Sequence, residues 1–170
     1  ELHTAGGFAH PDPARDLLAM ICIERHGRTG GMGKCFLQGL GLKRGAIAES
    51  VSHDCHNIIA AGTSARDIAA VANEVIRLEG GIALARDGKI LGSLALPVGG
   101  LITDELSGEE LHEKLSVLAK TAAGELGCSL HEPFMHLSFL SLSTSPKWKL
   151  TDRGLLDVDA MEFLDPLLPG

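Results

Sequence analysis

Two apolar segments, residues 81–86 and 89–96, flank the dipeptide Asp87-Gly88. Aspartate and glycine accept the positive φ angles of a type I′ turn, whose twist matches that of two antiparallel strands. Pro97 ends the second segment, because proline has no amide proton to give to a strand partner. The sequence therefore predicts a β-hairpin here, and a chain that pairs its strands without helical crossovers forms an antiparallel sheet.

Further short apolar segments, each bounded by turn residues, are interpreted as strands: residues 34–42, 45–52, 57–63 and 135–142. The tight Lys43-Arg44-Gly45 connection predicts that the first two of these strands are hairpin neighbours. The uninterrupted apolar character of the last one is typical of a buried central strand.

Three segments carry apolar residues at three- and four-residue spacing and end near a glycine, which predicts helices over residues 13–26, 65–78 and 108–126. Residues 146–170 are predicted to be mostly loop. Residues 1–12 are interpreted as a linker or lead-in to a domain formed by residues 13–170. Together these elements predict an α+β fold, with a mostly antiparallel sheet of about six strands flanked by three or four helices.

The composition excludes several classes of protein. The 170 residues include 22 acidic and 15 basic side chains, and the scattered Lys and Arg argue against a nucleic-acid partner. No apolar stretch approaches the roughly 20 residues of a membrane-spanning helix. Four well-separated cysteines without a CxxC pair are typical of reduced thiols in a cytoplasmic protein. The chain begins at Glu1 and shows no signal peptide, so we expect it to be a segment of a longer polypeptide.

The densest polar cluster is His53-Asp54-Cys55-His56-Asn57, between two predicted strands. Three functional interpretations are open: metal binding by His53, Asp54 and His56 with a further ligand from elsewhere, a Cys55 nucleophile with an imidazole base, or acid–base chemistry by His53 with Asp54. The structural alternative is that these groups bond to each other and to nearby backbone where two strands separate. Adjacent side chains on an extended chain point apart, so we expect no metal bound by this run alone.

Two other segments are weaker candidates. Gly30-Gly31-Met32-Gly33 has the glycine content of an anion cradle, but it precedes a strand and lacks the lysine and hydroxyl of a phosphate loop, which favours a flexible connector. Asp104 and Glu105 lie between a strand and a helix, where two carboxylates suit a cationic or amine-bearing ligand. Solvated acids near a helix start are the alternative interpretation.

Several blocks of this sequence are collinear with one known family. They are Gly39-Leu-Gly-Leu-Lys-Arg-Gly-Ala-Ile-Ala, Ser52-His-Asp-Cys-His-Asn-Ile-Ile, Leu96-Pro-Val-Gly-Gly-Leu with Asp104-Glu105, Cys128 with Pro133-Phe-Met and Leu137-Ser-Phe-Leu, and Lys149-Leu-Thr-Asp-Arg-Gly-Leu. Over about 130 residues, from Gly39 onward, the chain resembles the C-terminal domain of the bacterial adenine deaminases, which belong to the amidohydrolase superfamily. It departs from the family pattern at Cys55 and His136, where serine and threonine are expected.

The resemblance implies an activity that this chain does not contain in full. Enzymes of the family hydrolyse adenine to hypoxanthine and ammonia with a divalent metal held in a (β/α)₈ barrel of about 250 residues. No HxH pair occurs in these 170 residues. We therefore expect an accessory domain that is inactive alone, needs no cofactor of its own, and has its own N-terminal barrel and adenine as partners.

In that context His53, Asp54, His56 and Asn57 are the candidates to face the barrel active site, and Asp104 and Glu105 are candidates for the mouth of the substrate site. A homo-oligomer is compatible with the sequence. The alternative function is a freestanding, non-catalytic module that binds a purine or a protein partner and shares ancestry with the deaminase domain.

Overall fold

The computed structural model describes residues 3–5 and 8–166. The strands are β1 (His3–Ala5), β2 (Phe8–His10), β3 (Leu17–Ile23), β4 (Met32–Gln38), β5 (Ala46–Glu49), β6 (Ile58–Gly62), β7 (Gly81–Arg86), β8 (Lys89–Ala95), β9 (Trp148–Thr151), β10 (Gly154–Asp157) and β11 (Glu162–Leu164). Six of them form the central sheet, in the order β4-β3-β6-β5-β7-β8, and every neighbouring pair is antiparallel. The predicted α+β class and the antiparallel sheet of about six strands are confirmed.

The helices are α1 (Ala65–Arg77), α2 (Gly108–Leu126) and α3 (Pro133–Ser138), with 3₁₀ turns at Pro13–Arg15 and Phe139–Ser141. Helix α1 covers one face of the central sheet, where small side chains let it approach closely: Ala46, Ala48, Ala60, Ala83 and Ala85. Helices α2 and α3 and strand β9 cover the other face through larger side chains: Leu118, Leu126, Phe134, Leu137 and Leu150. The central strands are thus buried on both faces, which explains their continuous apolar sequences.

The elements with strong local signals lie where the sequence predicts them. Ser64 caps α1 by accepting a hydrogen bond from the Asp67 amide, and Ser107 and Glu110 form a reciprocal capping box at the start of α2. In the β7–β8 hairpin Arg86 pairs with Lys89, and Asp87 and Gly88 both have positive φ. These two helices and the hairpin are confirmed.

The predicted helix over residues 13–26 is wrong. Only Pro13–Arg15 forms a 3₁₀ turn, after which Asp16 adopts a left-handed conformation and β3 begins. Residues of β3 alternate between buried and half-buried, because its side chains point in turn to the two faces of the sheet. Leu17, Leu18 and Ile21 fit helical spacing equally well, so the spacing alone was ambiguous.

The predicted central strand over residues 135–142 is also wrong. These residues instead belong to α3, which has Pro133 in its first turn, and to the 3₁₀ turn Phe139–Ser141 that follows it. Phe134 and Leu137 are buried while Met135 and Phe139 are exposed, which is the burial pattern of a helix on a sheet surface.

Two predictions about connectivity also fail. Strands β4 and β5 are not hairpin neighbours, because β3 and β6 lie between them in the sheet. The 146–170 region is not mostly loop, because β9, β10 and β11 form an antiparallel sheet of their own that packs on β4.

Residues 1–12 include the short antiparallel pair β1–β2, and their separation as a linker from a domain at 13–170 stays a prediction. Within the described residues, no helix has the length and apolar character required to cross a membrane.

Candidate functional site

The 52–57 loop joins β5 to β6 and carries the predicted polar cluster. Its backbone is held by the helical segment at α3: the His53 amide donates to the Ser138 carbonyl at 3.1 Å, and the Ser141 hydroxyl donates to the His53 carbonyl at 3.2 Å. The Ser52 and Ser141 hydroxyls lie 2.5 Å apart and are buried. The loop and the Phe139–Ser141 turn therefore form one fixed unit.

The four predicted loop residues divide into two pairs. Asn57 is buried, and its side-chain amide donates to Asp152 at 3.1 Å while its carbonyl oxygen accepts from the Arg25 backbone amide at 3.2 Å. His56 is half-buried, with Nδ1 3.3 Å from the Val51 carbonyl oxygen. These two side chains bond inward, as the structural interpretation of the cluster predicts.

His53 and Asp54 differ from that pair. The His53 ring lies against Phe139, with centroids 5.2 Å apart, and the Asp54 side chain is exposed. Among the residues that the structure describes, neither side chain has a hydrogen-bond partner. The His53 backbone is held at both its amide and its carbonyl, while the imidazole of His53 and the carboxylate of Asp54 can still form hydrogen bonds to a further group.

Sequence reasoning missed three contributors to the site: Glu24, His26 and Asp152. His26 Nε2 lies 2.8 Å from the Cys55 carbonyl oxygen, and the Glu24 carboxylate accepts backbone hydrogen bonds from the 26–30 turn. Those bonds lower the pKa of Glu24 to about 2, and the bond from the Thr29 amide contributes most to the shift. The incorrect helix over residues 13–26 hid Glu24 and His26, although their place directly after an alternating apolar run is a signal that could have found them.

These groups line a cavity of about 340 Å³ beside the 52–57 loop. Its walls combine two carboxylates with imidazole, guanidinium, hydroxyl, amide and thiol groups: Glu24, Asp152, His26, Arg28, Thr29, Asn57 and Cys55. Such a lining can accept hydrogen bonds from amine or amidine N–H groups. No three His, Cys, Asp or Glu side chains in the described part of the chain are arranged to share a metal ion.

The glycines at 31 and 33 serve packing in this region. A Cβ at Gly31 would lie 2.9 Å from the Asp152 carbonyl oxygen, and one at Gly33 would overlap the Thr151 carbonyl oxygen. Bare glycine backbone thus lets the β9–β10 turn approach β4 and brings Asp152 to Asn57. Met32 and Gly33 are the first residues of β4, so this half of the predicted connector is strand.

Asp104 and Glu105 lie in a different segment, between β8 and α2, and both are exposed. The Glu105 amide donates to the Thr103 hydroxyl at 3.2 Å. The structure does not bring these carboxylates into the 340 Å³ cavity.

Cys55 differs from the other three cysteines in the direction of its pKa shift, which is downward. The neighbouring Cys22 thiol and the Ser52 hydroxyl, whose oxygen lies 3.5 Å from the Cys55 sulfur, lower the pKa of Cys55 to about 5 against the effect of burial. Cys22 shows the opposite shift, and burial raises the pKa of Cys35 to about 12. The Cys55 residue is also exposed, so we expect it to react as a thiolate with reagents in solution at neutral pH.

We expect iodoacetamide to alkylate Cys55 of the native chain before the other three cysteines, with a rate that rises through a midpoint near pH 5. Peptide mass spectrometry over a pH series measures this. Cys55→Ser should remove the fast phase, and Cys22→Ala should move the midpoint upward. A midpoint near the ordinary thiol value of about 8.5 would contradict the assignment.

Comparisons with known proteins agree on one family. Residues 1–162 match the family described as the adenine deaminase C-terminal domain. The chain is 55% identical over 163 residues to adenine deaminase 1 of Carboxydothermus hydrogenoformans, covering 96% of this chain and 27% of that protein. It is 49% identical to the adenine deaminase of Cereibacter sphaeroides strain KD131 and 47% identical to that of Brucella anthropi, in each case over 96% of this chain and 29% of the relative.

The chain thus spans less than a third of the length of these relatives. The match covers the whole of the central sheet, the three helices and the candidate site. By sequence and by the span of the match, this chain belongs to the adenine deaminase C-terminal domain family.

Proposed function

We propose that this chain is the accessory C-terminal domain of a cytoplasmic adenine deaminase, and that it acts with a metal-containing amidohydrolase barrel in the rest of the polypeptide. The reaction is hydrolysis of adenine to hypoxanthine and ammonia. The named relatives support this proposal, since each is an adenine deaminase more than three times as long as the segment matched. In this proposal the barrel supplies the metal, and no three His, Cys, Asp or Glu side chains of the described residues are grouped to hold one.

Within that enzyme, the 52–57 loop faces the mouth of the barrel and completes the adenine site. One observation carries this: the His53 backbone is held by Ser138 and Ser141, while the His53 and Asp54 side chains have no hydrogen-bond partner among the described residues. A polar group on a fixed backbone loses less conformational entropy when it binds a ligand, so such groups are suited to a binding site. Asp54 can accept a purine N–H, and the His53 imidazole can donate to or accept from a ring nitrogen.

His56 and Asn57 support that pair from behind. Their side chains bond to Val51, Asp152 and Arg25, so they set the path of the loop and do not reach outward. In this proposal the exposed Asp104 and Glu105, which follow β8, form the rim of the same mouth.

Ammonia release from adenine tests the proposal. The isolated chain should release none above background, whereas the polypeptide that joins this chain to the barrel should be active. In that polypeptide His53→Ala and Asp54→Ala should each lower kcat/KM at least about tenfold, or about 1.4 kcal/mol of transition-state stabilisation. Cys55→Ser should leave kcat/KM nearly unchanged.

The thermal stability of the isolated chain distinguishes the two interpretations of the loop. Because the His53 and Asp54 side chains have no hydrogen-bond partner in the described residues, and His53 lies against the exposed Phe139 ring, their replacement should change Tm little. If these variants instead lower Tm and spare catalysis, the loop is only a structural junction. Turnover of adenine by the isolated chain would contradict the accessory role.

A further inference from the structure

Arg25 lies at a junction of three segments that are remote in sequence. Its Nε donates to the His56 carbonyl at 2.8 Å, its Nη2 to the Gly99 carbonyl at 2.6 Å and its Nη1 to the Glu79 carbonyl at 3.4 Å. One guanidinium therefore joins the 52–57 loop to the turn after α1 and to the turn after β8. The Gly99 turn leads directly to Asp104 and Glu105.

The turn after β8 is packed tightly against this guanidinium. A Cβ at Gly100 would lie 2.7 Å from Arg25 Nη2 and 3.0 Å from the Ser50 hydroxyl. The Ser50 hydroxyl donates to the Gly100 carbonyl at 2.7 Å and accepts from the Gly81 amide at 2.8 Å. The path of the 97–102 turn thus depends on both Ser50 and Arg25.

The chemistry of these contacts requires arginine. Three carbonyl oxygens lie in different directions around Arg25, and a planar guanidinium has donors on three nitrogens with which to meet them. A lysine ammonium is a single point on a flexible stem and cannot span the same set. Among the described residues Arg25 forms no ion pair with a carboxylate, so its bonds all serve to hold backbone.

We propose that Arg25 is the positioning residue that holds the 52–57 loop and the 97–105 segment in one arrangement, so that the two form a single substrate-facing wall. The 52–57 loop carries His53 and Asp54, and the 97–105 segment carries Asp104 and Glu105. The catalytic consequence rests on the proposed function, whereas the coupling of the two segments is a property of this chain alone.

Amide hydrogen exchange on the isolated chain tests the coupling. Arg25→Lys and Arg25→Ala should raise exchange at least about tenfold in peptides covering residues 52–57 and 97–102, while α2 stays protected. Arg77→Ala is the matched control, because it removes an exposed arginine whose contact is an ion pair with Glu74 on α1. Faster exchange throughout the chain, or in one segment alone, would overturn the proposal, and Arg25→Lys serves if the alanine variant fails to fold.

Kinetics of the polypeptide with the barrel test the consequence. Arg25→Ala should lower kcat at least about tenfold through misplacement of the two segments, and added guanidinium should restore part of kcat and part of the exchange protection. If Arg25→Ala raises exchange in both segments but leaves kcat and KM unchanged, the coupling of the segments is upheld and the proposed role of the 52–57 loop is contradicted. A loss of kcat without any change in exchange would overturn the positioning role of Arg25.

Discussion

Gly33→Ala is expected to destabilise the chain by about 3 kcal/mol, the upper end of what overpacking costs in a buried site. Gly33 lies in β4, and a Cβ there would overlap the Thr151 carbonyl oxygen and lie 3.1 Å from the Gly154 amide nitrogen. Both neighbours are backbone atoms of the β9–β10 hairpin, so no side-chain rotation can relieve the overlap. The hairpin has to move away from the central sheet, and Leu150 then loses its place in the core.

Denaturant unfolding of the isolated chain measures this effect. Gly108→Ala is the matched control, because a Cβ at Gly108 meets nothing within 4 Å and Gly108 begins α2, where alanine favours the helix. We also expect Gly33→Ala to weaken the Asn57–Asp152 contact, since Asp152 lies on the displaced turn. Equal stability of Gly33→Ala and Gly108→Ala would show that β9–β10 does not pack on β4 in solution.

Glu49→Gln is expected to stabilise the chain by about 2 kcal/mol at pH 8, which is within the range for a buried polar group without a partner. Glu49 ends β5 with 2% of its surface exposed, and its Oε1 is buried without a hydrogen-bond partner among the described residues. Burial raises the pKa of Glu49 well above 4.5. The neutral acid is thus the form that the fold favours.

The sign of the pH dependence follows from that shift. The folded chain holds the Glu49 proton more tightly than the unfolded chain, so its stabilising contribution is complete below pH 4.5 and is lost as the pH rises toward the folded pKa. Glutamine stays neutral, so the gain in the free energy of unfolding of Glu49→Gln over wild type should be large at pH 8 and small at pH 4.5. Thermal unfolding at the two pH values measures the difference.

Glu113→Gln provides the control for that experiment, because Glu113 is an exposed carboxylate on α2. Its replacement should change Tm little at either pH. If wild type and Glu49→Gln lose stability in parallel between pH 4.5 and 8, then the Glu49 carboxyl reaches solvent or a partner, and the burial assigned to it is wrong.

The family resemblance was visible in the sequence because its blocks are contiguous and collinear. The same reasoning applies to the candidate site, of which only the contiguous part was visible. His53, Asp54, His56 and Asn57 follow one another along the chain, so their proximity needs no tertiary information. Which of them face outward was not visible, because that depends on Asp152, Arg25 and the α3 segment.

Two incorrect elements show why periodicity fails for short apolar runs. In β3, Leu17, Leu18 and Ile21 fit a helix, while Leu18, Met20 and Cys22 fit the alternation of a strand. The strand is formed because β4 and β6 offer hydrogen bonds on both sides of it. In α3 the opposite occurs, since Pro133–Ser138 packs on the faces of β5 and β6, where a short helix satisfies its backbone internally.

The sequence by itself determined α1, α2 and the β7–β8 hairpin, because each depends on cap or turn residues that bond within three positions of one another. Only the tertiary structure decided the strand order, the C-terminal sheet and the completion of the candidate site. Arg25 contacts partners 31 and 74 residues away, and Asn57 contacts Asp152 across 95 residues. Contacts of that span arise from the packing of whole elements, which no local pattern of residues encodes.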